Sequence, residues 1–397
     1  MNILSCDKEP MDAYRLQRTC PICRSTATPI VLHRQTFVLP EGHILPDWYD
    51  LVACGECGFV YADTSASQDT YDKYYAEMSK YETTYTGGDN KLFADRASWI
   101  SIFIHNRESS IIDVGCGNGQ LLTELKMLGF SNLTALDPSL NCIACIREKG
   151  LKGIAGSIFD FTAAVHYEGV IMSGVLEHIC DVALAMQTVK TMLTRNGSFF
   201  IFVPDASRYQ DYDTIPYDYF NIEHINHFDE TSLVNLGIAH GFTIFGLQKS
   251  TMVLSGIEQP VIYCAYRNEG RPAAGWRDYS RKSMLKYLDN SARNNRVRIL
   301  LDELAASQEA VVVWGAGNYA CRLLATSNLR KCNILMFVDH DKQKQGACLA
   351  GQVVSYPEEI LKLKERPTIL IAAAIFHDDI LSEIKHMGIK NKVVVLK

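Results

Sequence analysis

Two regions of the chain alternate short apolar runs with stretches of helical spacing. Between residues 110 and 205, the apolar runs at 111–114, 133–136 and 169–172 are separated by amphipathic stretches. Strands that alternate with helices predict a parallel sheet with helices on both faces. A second pattern of the same kind spans residues 310–396. We therefore predict an α/β fold that contains two doubly wound, Rossmann-like domains.

The remaining segments differ from these two regions. Residues 1–62 are rich in Cys, Pro and short β-like runs, and tyrosines then crowd together up to a Gly87-Gly88 break. Residues 276–308 are charged and have helical spacing. The predicted units are an N-terminal domain with an aromatic linker (1–86), the first α/β domain (87–275), a helical connector (276–308) and a C-terminal α/β domain (309–397).

Charge and hydropathy exclude several classes of function. Among the 397 residues, 45 acidic side chains outnumber 39 basic ones, giving a net charge of −6. This balance predicts no general attraction to nucleic acid or to an anionic membrane. No apolar stretch reaches the length of a membrane span, and the N-terminus lacks the apolar run of a signal peptide. We expect a cytoplasmic protein, and nothing indicates an obligate protein partner.

Two Cys-x-x-Cys pairs occur in the N-terminal segment. They are Cys20-Pro-Ile-Cys23 and Cys54-Gly-Glu-Cys57. Four thiolates at this spacing are typical of tetrahedral zinc, and a site closed by four protein ligands is structural. A redox role for the cysteines is the alternative.

A glycine-rich loop follows the first strand of the first α/β domain. Gly115, Gly117 and Gly119 let the backbone pass close to a ligand, where a Cβ would collide. Asp113 is placed to bind the positively charged amino-acid end of that ligand. Asp137, 24 residues further on, ends the next strand, where a carboxylate accepts hydrogen bonds from ribose hydroxyls.

The loop, Asp137 and two later segments resemble the class I methyltransferases. The later segments are the apolar run ending in Leu-Glu-His178 and the strand-like run 198–203 that follows a turn. The resemblance implies that S-adenosylmethionine binds at this loop. A nicotinamide-binding domain is the alternative, but it favours Gly-x-Gly-x-x-Gly, whereas the spacing here is Gly-x-Gly-x-Gly.

A Glu-His pair lies in the connection that crosses the open end of the first sheet. An imidazole such as that of His224 titrates close enough to neutrality to abstract a proton, and the adjacent Glu223 can orient it or bind a sugar hydroxyl. The alternatives for His224 are a capped surface loop or a core histidine. For the nearby His227 we expect a core histidine.

The order of the domains resembles that of the sugar C-methyltransferases that act on nucleotide-linked 4-keto-6-deoxy sugars. That family joins a zinc-binding N-terminal domain, a class I methyltransferase domain with a Glu-His segment, and a Rossmann-like C-terminal domain. The resemblance implies that His224 is the base beside the ketone, that Glu223 contacts the sugar, and that His178 flanks the substrate. It also implies that Tyr75 and Tyr81 enter the site.

One position departs from this family. A tyrosine is expected two residues before Glu223, but the residue is Asn221. O-methylation of a sugar hydroxyl or of another small molecule therefore stays open, because the same base could deprotonate an alcohol. An RNA methyltransferase with a zinc-containing reader domain and a non-enzymatic scaffold are further alternatives.

The C-terminal region carries a second glycine-rich loop. Gly315-Ala-Gly317-Asn-Tyr-Ala320, followed by Asp339, fits the dinucleotide-binding fingerprint and taken alone favours NAD. The family resemblance implies instead that this domain helps to form the cleft for the nucleotide-linked sugar. The pyrophosphate would bind at the helix start after Gly317. A scaffold without ligand is the alternative.

Overall fold

The computed structural model describes residues 14–77, 90–162, 165–212, 214–254, 256–269 and 281–397. The strands of these ranges are β1 Ile30–Thr36, β2 Trp48–Ala53, β3 Val60–Asp63, β4 Ile111–Val114, β5 Leu133–Asp137, β6 Lys152–Ala155, β7 Tyr167–Ser173, β8 Leu193–Pro204, β9 Asn226–His227, β10 Thr243–Leu254, β11 Ile257–Arg267, β12 Ala310–Trp314, β13 Asn333–Val338, β14 Cys348–Leu349, β15 Gln352–Ser355, β16 Thr368–Ile371 and β17 Val393–Val395.

The α-helices are α1 Gln68–Glu77, α2 Asn90–Ser101, α3 Gln120–Met127, α4 Leu140–Glu148, α5 Val182–Met192, α6 Glu230–Ala239, α7 Lys282–Arg293, α8 Arg296–Ser307, α9 Asn318–Thr326 and α10 His377–His386. In the described part of the chain, no helix is both long and apolar enough to cross a membrane.

The central sheet has the strand order β10-β11-β8-β7-β4-β5-β6. Strands β4 to β8 pair in parallel, as the alternating pattern predicts. Beyond residue 205 the sheet becomes mixed, because β11 runs antiparallel to both β8 and β10. A short connection between two long strands permits only a hairpin, since a parallel pair needs a crossover of a dozen residues.

The strand order of the central sheet reverses at β4. Strands β5 and β6 lie on one side of it, and β7 and β8 lie on the other. All four residues of β4 are buried, which is typical of a strand covered on both faces. Ligands of open α/β sheets bind at such a switch point, outside the carboxyl ends of the strands.

The N-terminal sheet has four antiparallel strands in the order β1-β2-β3-β9. Its last strand comes from the first α/β domain, where His227 pairs with Val60 and Asn226 with Tyr61. The segment that carries Glu223 and His224 therefore leads directly into the N-terminal sheet.

The C-terminal sheet has the order β14-β15-β13-β12-β16-β17 and is parallel except for the β14–β15 hairpin. One hydrophobic cluster continues from the N-terminal sheet through α1, α7 and α8 to this domain, and it includes Tyr49, Tyr71, Tyr287 and Leu301. The N-terminal and C-terminal sheets therefore pack through a shared core, and a second cluster that includes Val52, Tyr61 and Ile112 joins the N-terminal sheet to the central sheet.

Candidate active site

The glycine-rich loop after β4 is held against β5 by backbone hydrogen bonds. The Gly115 N–H donates to the Leu136 carbonyl at 2.7 Å, and the Gly117 N–H donates to Asp137 Oδ2 at 2.8 Å. The Ser139 N–H donates to Asp137 Oδ1 at 2.9 Å and fixes the other carboxylate oxygen. Asp137 thus closes the loop as well as ending β5.

Two of the loop glycines are required by protein neighbours. Gly115 and Gly119 have φ of +68° and +78°, in the left-handed region that side chains disfavour. A Cβ on Gly115 would lie 2.7 Å from a Val175 methyl, and one on Gly119 would lie 2.1 Å from Ile146 Cδ1. The reason for these two glycines therefore includes packing against Val175 and Ile146, which the sequence did not indicate.

Asp113 is a buried carboxylate at the end of β4. Its Oδ1 atom has no hydrogen-bond partner among the described residues. Burial, together with the charge of Asp137, raises the pKa of Asp113 to about 8, and Arg96 only partly offsets this. An orphaned buried carboxylate beside a glycine loop fits the cationic amino-acid end of S-adenosylmethionine.

The predicted catalytic side chains come together beside this loop. The Tyr74 hydroxyl donates to Glu223 Oε1 at 2.8 Å. His178 Nδ1 lies 3.0 Å from the Glu223 carbonyl oxygen and 2.9 Å from the Tyr75 hydroxyl. The ring centroids of His178 and His224 are 4.8 Å apart, in an edge-on arrangement.

Asn221 shapes the turn that presents these residues. Its Oδ1 accepts the backbone N–H of Glu223 at 2.9 Å and that of His224 at 2.8 Å. A tyrosine side chain cannot bridge its own loop in this way, whereas short Asn side chains do so commonly. The two phenols near Glu223 and His178 belong instead to α1.

The structure separates His227 from this group. His227 is fully buried in β9 and packs against Phe220 and Tyr209. Burial lowers its pKa to about 3, so it is neutral at physiological pH. This agrees with the expectation of a core histidine.

Glu177 precedes His178 in the Leu-Glu-His segment after β7, and no role for it follows from the sequence. It is buried beside His178, and their side chains are 4.0 Å apart from Oε1 to Nε2. Burial raises the pKa of Glu177 to about 8. A charged residue between the apolar Leu176 and Ile179 is the signal that could have drawn attention to it.

The second glycine loop repeats the geometry of the first. The Gly315 N–H donates to the Val338 carbonyl at 2.8 Å, and the Ala316 N–H donates to Asp339 Oδ2 at 2.8 Å. Helix α9 starts directly after Gly317. Lys344 Nζ lies 3.2 Å from Asp339 Oδ2 and brings a cation to this loop.

A segment of the N-terminal domain connects the second loop with Tyr74, which lies beside the predicted catalytic side chains. The Val38 N–H donates to the Cys321 carbonyl of α9, and the Glu41 N–H donates to the Cys348 carbonyl, both at 2.9 Å. The ring of His43 lies 5.6 Å from that of Tyr74. Residues 37–45 therefore run between the two sites.

The four predicted zinc ligands form one cluster. Their sulfur atoms all lie within 4.8 Å of one another, and the Cys20–Cys57 and Cys23–Cys54 pairs are 3.5 Å apart. The two knuckles match, since Arg24 and Gly58 both have a left-handed φ after the second cysteine. Sulfurs around a tetrahedral zinc stand about 3.8 Å apart, so this donor set fits the ion.

Among the predicted site residues, Tyr81 lies outside the described residues. Besides the cysteine cluster, the described ones form three groups. Asp113, Gly115, Gly117, Gly119 and Asp137 lie at the first loop, and Tyr75, His178, Glu223 and His224 lie together. Gly315 and Gly317 lie at the second loop. Tyr74 and His43 belong to the second group, but no local motif marked them in the sequence.

Comparison with known proteins supports the assignment of the central domain. The family model described as "Methyltransferase domain" matches residues 90–245, and a model described as "C2185-like, N-terminal" matches residues 307–395. EEF1A lysine methyltransferase 2 of Homo sapiens is 40% identical over 58 residues, covering 14% of this chain and 25% of that protein. Its Danio rerio counterpart is 37% identical over 67 residues, covering 16% and 29%. The chain thus spans only about a quarter of these relatives.

Solved structures that align with part of the chain include the 1,6-didemethyltoxoflavin-N1-methyltransferase of Burkholderia thailandensis with bound S-adenosylhomocysteine. It has a TM-score of 0.39 and 15% identity, covering 54% of this chain and 96% of that chain. A possible histamine N-methyltransferase of Thermotoga maritima has a TM-score of 0.36 and 16% identity, covering 45% and 91%. From the matched family model and the loop geometry, residues 90–245 are a class I S-adenosylmethionine-dependent methyltransferase domain.

Proposed function

We propose that the chain methylates a nucleotide-linked 4-keto sugar at the carbon beside the ketone, with His224 as the base. The observation that carries the proposal is the convergence of His224, His178, Glu223 and Tyr75 at the carboxyl edge of the central sheet. Two imidazoles, a carboxylate and a phenol are the groups that enolate chemistry on a hydroxylated substrate needs.

The first loop is proposed to hold the cofactor, which supplies an electrophilic methyl group when it is bound. Asp113 binds the ammonium of its amino-acid end, and Asp137 accepts from its ribose hydroxyls. Because Gly115, Gly117 and Gly119 have no Cβ, the backbone of the loop can lie close to the cofactor.

His224 is proposed to take the proton from the carbon beside the ketone. The electron pair of that C–H bond then forms the enolate, whose carbon would bond to the methyl group as the methyl–sulfur bond of the bound cofactor breaks and its electron pair stays on sulfur. The Tyr75 hydroxyl donates to the developing enolate oxygen, which lowers the barrier to proton removal. Glu223, held by Tyr74, binds a sugar hydroxyl, and His178 flanks the ring.

The second loop is proposed to bind the nucleotide part of the substrate. The first N–H groups of α9 after Gly317 favour an anion, and Gly315 keeps the turn tight. Lys344 adds a positive charge beside Asp339. The hydrogen bonds of residues 37–45 to Cys321 and Cys348 support one cleft from this loop to His224.

The cysteine cluster is proposed to hold a structural zinc ion. Four cysteine ligands leave no open coordination position, so the ion stabilises the N-terminal sheet and takes no part in the reaction. Its effect on the active site is indirect, since β9 joins this sheet to the segment that carries His224.

O-methylation of a sugar hydroxyl is the second candidate. It is favoured by Asn221, whose Oδ1 is used by the backbone of Glu223 and His224, so that this position supplies no phenol to polarise a ketone. The same His224 could deprotonate an alcohol during methyl transfer.

Incubation with ¹³C-methyl cofactor and a panel of thymidine- and guanosine-diphosphate 4-keto sugars tests the proposal. We expect transfer to the keto sugars, with the new methyl bonded to carbon in the product NMR spectrum. His224→Ala should lose at least about 100-fold in rate, whereas His166→Ala, at an exposed position, should not change it. Transfer only to oxygen would establish the second candidate, and transfer only to simple sugar alcohols would contradict the proposal.

A further inference from the structure

Three potential metal ligands lie at the carboxyl edge of the central sheet, apart from the cysteine cluster. One carboxylate oxygen of Glu177 and one ring nitrogen each of His178 and His224 lie within 4.8 Å of one another. Glu177 and His178 are buried, and His224 is half-buried. We infer that this Glu-His-His cluster binds a divalent transition-metal ion.

Glu177 supplies the negative charge that such an ion needs. Its Oε2 atom is buried and has no hydrogen-bond partner in the part of the chain that is described. A buried carboxylate without a partner is costly, and coordination of a metal ion is one of the few ways to compensate it. The other carboxylate oxygen, Oε1, lies 4.0 Å from His178 Nε2.

The hydrogen bonding of His178 matches that of a metal ligand. The Glu223 carbonyl, 3.0 Å from Nδ1, can only accept, so Nδ1 carries the proton. The lone pair of His178 is therefore on Nε2, which lies 4.0 Å from Glu177 Oε1. Metal-bound histidines commonly donate their other ring N–H to a backbone carbonyl in this way.

The distances permit coordination after a small closure. Ligand atoms around an ion at about 2.1 Å stand about 3.4 Å apart, so the three side chains need to approach by about 1 Å. Two imidazoles and one carboxylate suit zinc, iron, cobalt or nickel better than magnesium or calcium. Three protein ligands leave at least one coordination position for water or substrate, unlike the four cysteines.

Metal at this position has a consequence for the proposed base. The ring nitrogen of His224 cannot bind an ion and accept a proton together, so the loaded enzyme should be inactive in proton abstraction. The metal-binding inference itself is independent of which substrate is methylated.

Cobalt(II) titration of the full-length protein, with zinc retained at the cysteines, tests the inference without any substrate. Visible absorption reports nitrogen and oxygen ligands, thiolate charge-transfer bands report exchange into the cysteine cluster, and elemental analysis gives the stoichiometry. We expect one cobalt ion per chain beyond the zinc. Glu177→Gln and His224→Ala should each weaken binding at least about tenfold, while His166→Gln, at an exposed position outside the cluster, should bind as the wild type does.

Two outcomes would overturn the inference. One is a wild-type protein that takes up no metal beyond the cysteine site. The other is undiminished cobalt binding by His224→Ala. This variant keeps the test decisive if Glu177→Gln does not fold. Cofactor affinity, measured by calorimetry on each variant, verifies folding. Failure of methyl transfer by the cobalt-free protein, together with intact cobalt binding in a separate titration, would count against the proposed reaction and leave the metal site standing.

Discussion

The two glycine loops share their backbone geometry but differ in the charge behind them. In each loop a glycine N–H donates to the carbonyl before the aspartate, Leu136 in the first and Val338 in the second. A second loop N–H donates to that aspartate at 2.8 Å in both, Asp137 or Asp339. The same hydrogen-bond pattern therefore builds both glycine-rich turns.

The difference lies two residues before the first glycine. The first domain has the buried Asp113 there, whereas the second has the apolar Val313. The second loop instead has Lys344 beside its aspartate. A buried carboxylate favours a cationic ligand and a lysine favours an anionic one, so the comparison indicates that charge, more than loop shape, separates the two ligands.

The largest expected effect is the loss of cofactor affinity when the negative charge of Asp113 is removed. We predict that Asp113→Asn weakens cofactor binding by about 100-fold or more, since loss of one partner of a buried ion pair costs about 2–5 kcal/mol. Asp339→Asn in the second loop should leave cofactor affinity unchanged. Isothermal titration calorimetry on both variants measures the difference, and equal losses would refute the separation of roles.

Alanine at the loop glycines should have the next largest effect. A Cβ on Gly315 would lie 2.8 Å from the Ala372 carbonyl oxygen, which is rigid backbone, whereas one on Gly119 meets the end of the Ile146 side chain. We predict that Gly315→Ala lowers the free energy of unfolding by about 3 kcal/mol and that Gly119→Ala lowers it by about 2 kcal/mol. Urea denaturation measures both values.

Gly42→Ala is the matched control for these two variants. Gly42 has φ of +80° and no atom within 4 Å of its Cβ position, so it isolates the backbone strain, about 1 kcal/mol. If Gly315→Ala were no more destabilising than Gly42→Ala, the tight approach to Ala372 would have no energetic weight.

A change in pH should have a moderate effect on cofactor affinity. Burial raises the pKa of Asp113 from 3.8 to about 8. Between these two pH values, the cofactor-free folded protein keeps a proton on Asp113 that the unfolded chain releases. This contribution to stability is complete below 3.8 and is lost as the pH rises through 8. Cofactor affinity should change in the opposite direction, because the carboxylate form binds the ammonium.

We expect cofactor affinity to rise by about tenfold per pH unit below 8, measured by calorimetry from pH 6.5 to 7.5. Asp113→Asn should flatten the profile, because the titrating group is gone. An unchanged slope in that variant would assign the pH dependence to another group.

The smallest effect is expected for Lys344→Ala. Lys344 is about one-third exposed, so its ion pair with Asp339 should stabilise the fold by less than about 1 kcal/mol. Binding of a nucleoside diphosphate should weaken severalfold and lose much of its salt dependence, while cofactor affinity stays constant. Fluorescence competition at two salt concentrations measures the nucleotide affinity. An unaltered nucleotide affinity would show that Lys344 does not contribute to nucleotide binding.

The loops were predictable from the sequence because their determinants are local. Strand patterns, glycine spacing and the aspartate that ends the next strand all lie within a few tens of residues of one another. The strands β4, β5, β7, β12 and β13 accordingly lie where the apolar runs predict them.

The surroundings of Glu223 were not predictable, because they depend on contacts distant in sequence. Tyr74 and Glu223 are 149 residues apart, and only folding brings α1 against the turn of Asn221. The pairing of β9 with β3 and the position of Glu177 depend on tertiary packing as well. A single sequence contains no local signal for such contacts.

The central claim, that His224 removes a proton from the carbon beside a ketone, is tested most directly by solvent exchange. The keto-sugar nucleotide is incubated with enzyme in deuterium oxide without cofactor, and deuterium at that carbon is followed by NMR. We expect deuterium exchange with the wild-type enzyme and its loss in His224→Ala, with nucleotide binding retained. Exchange at the same rate in His224→Ala, or methyl transfer to carbon by that variant, would contradict it.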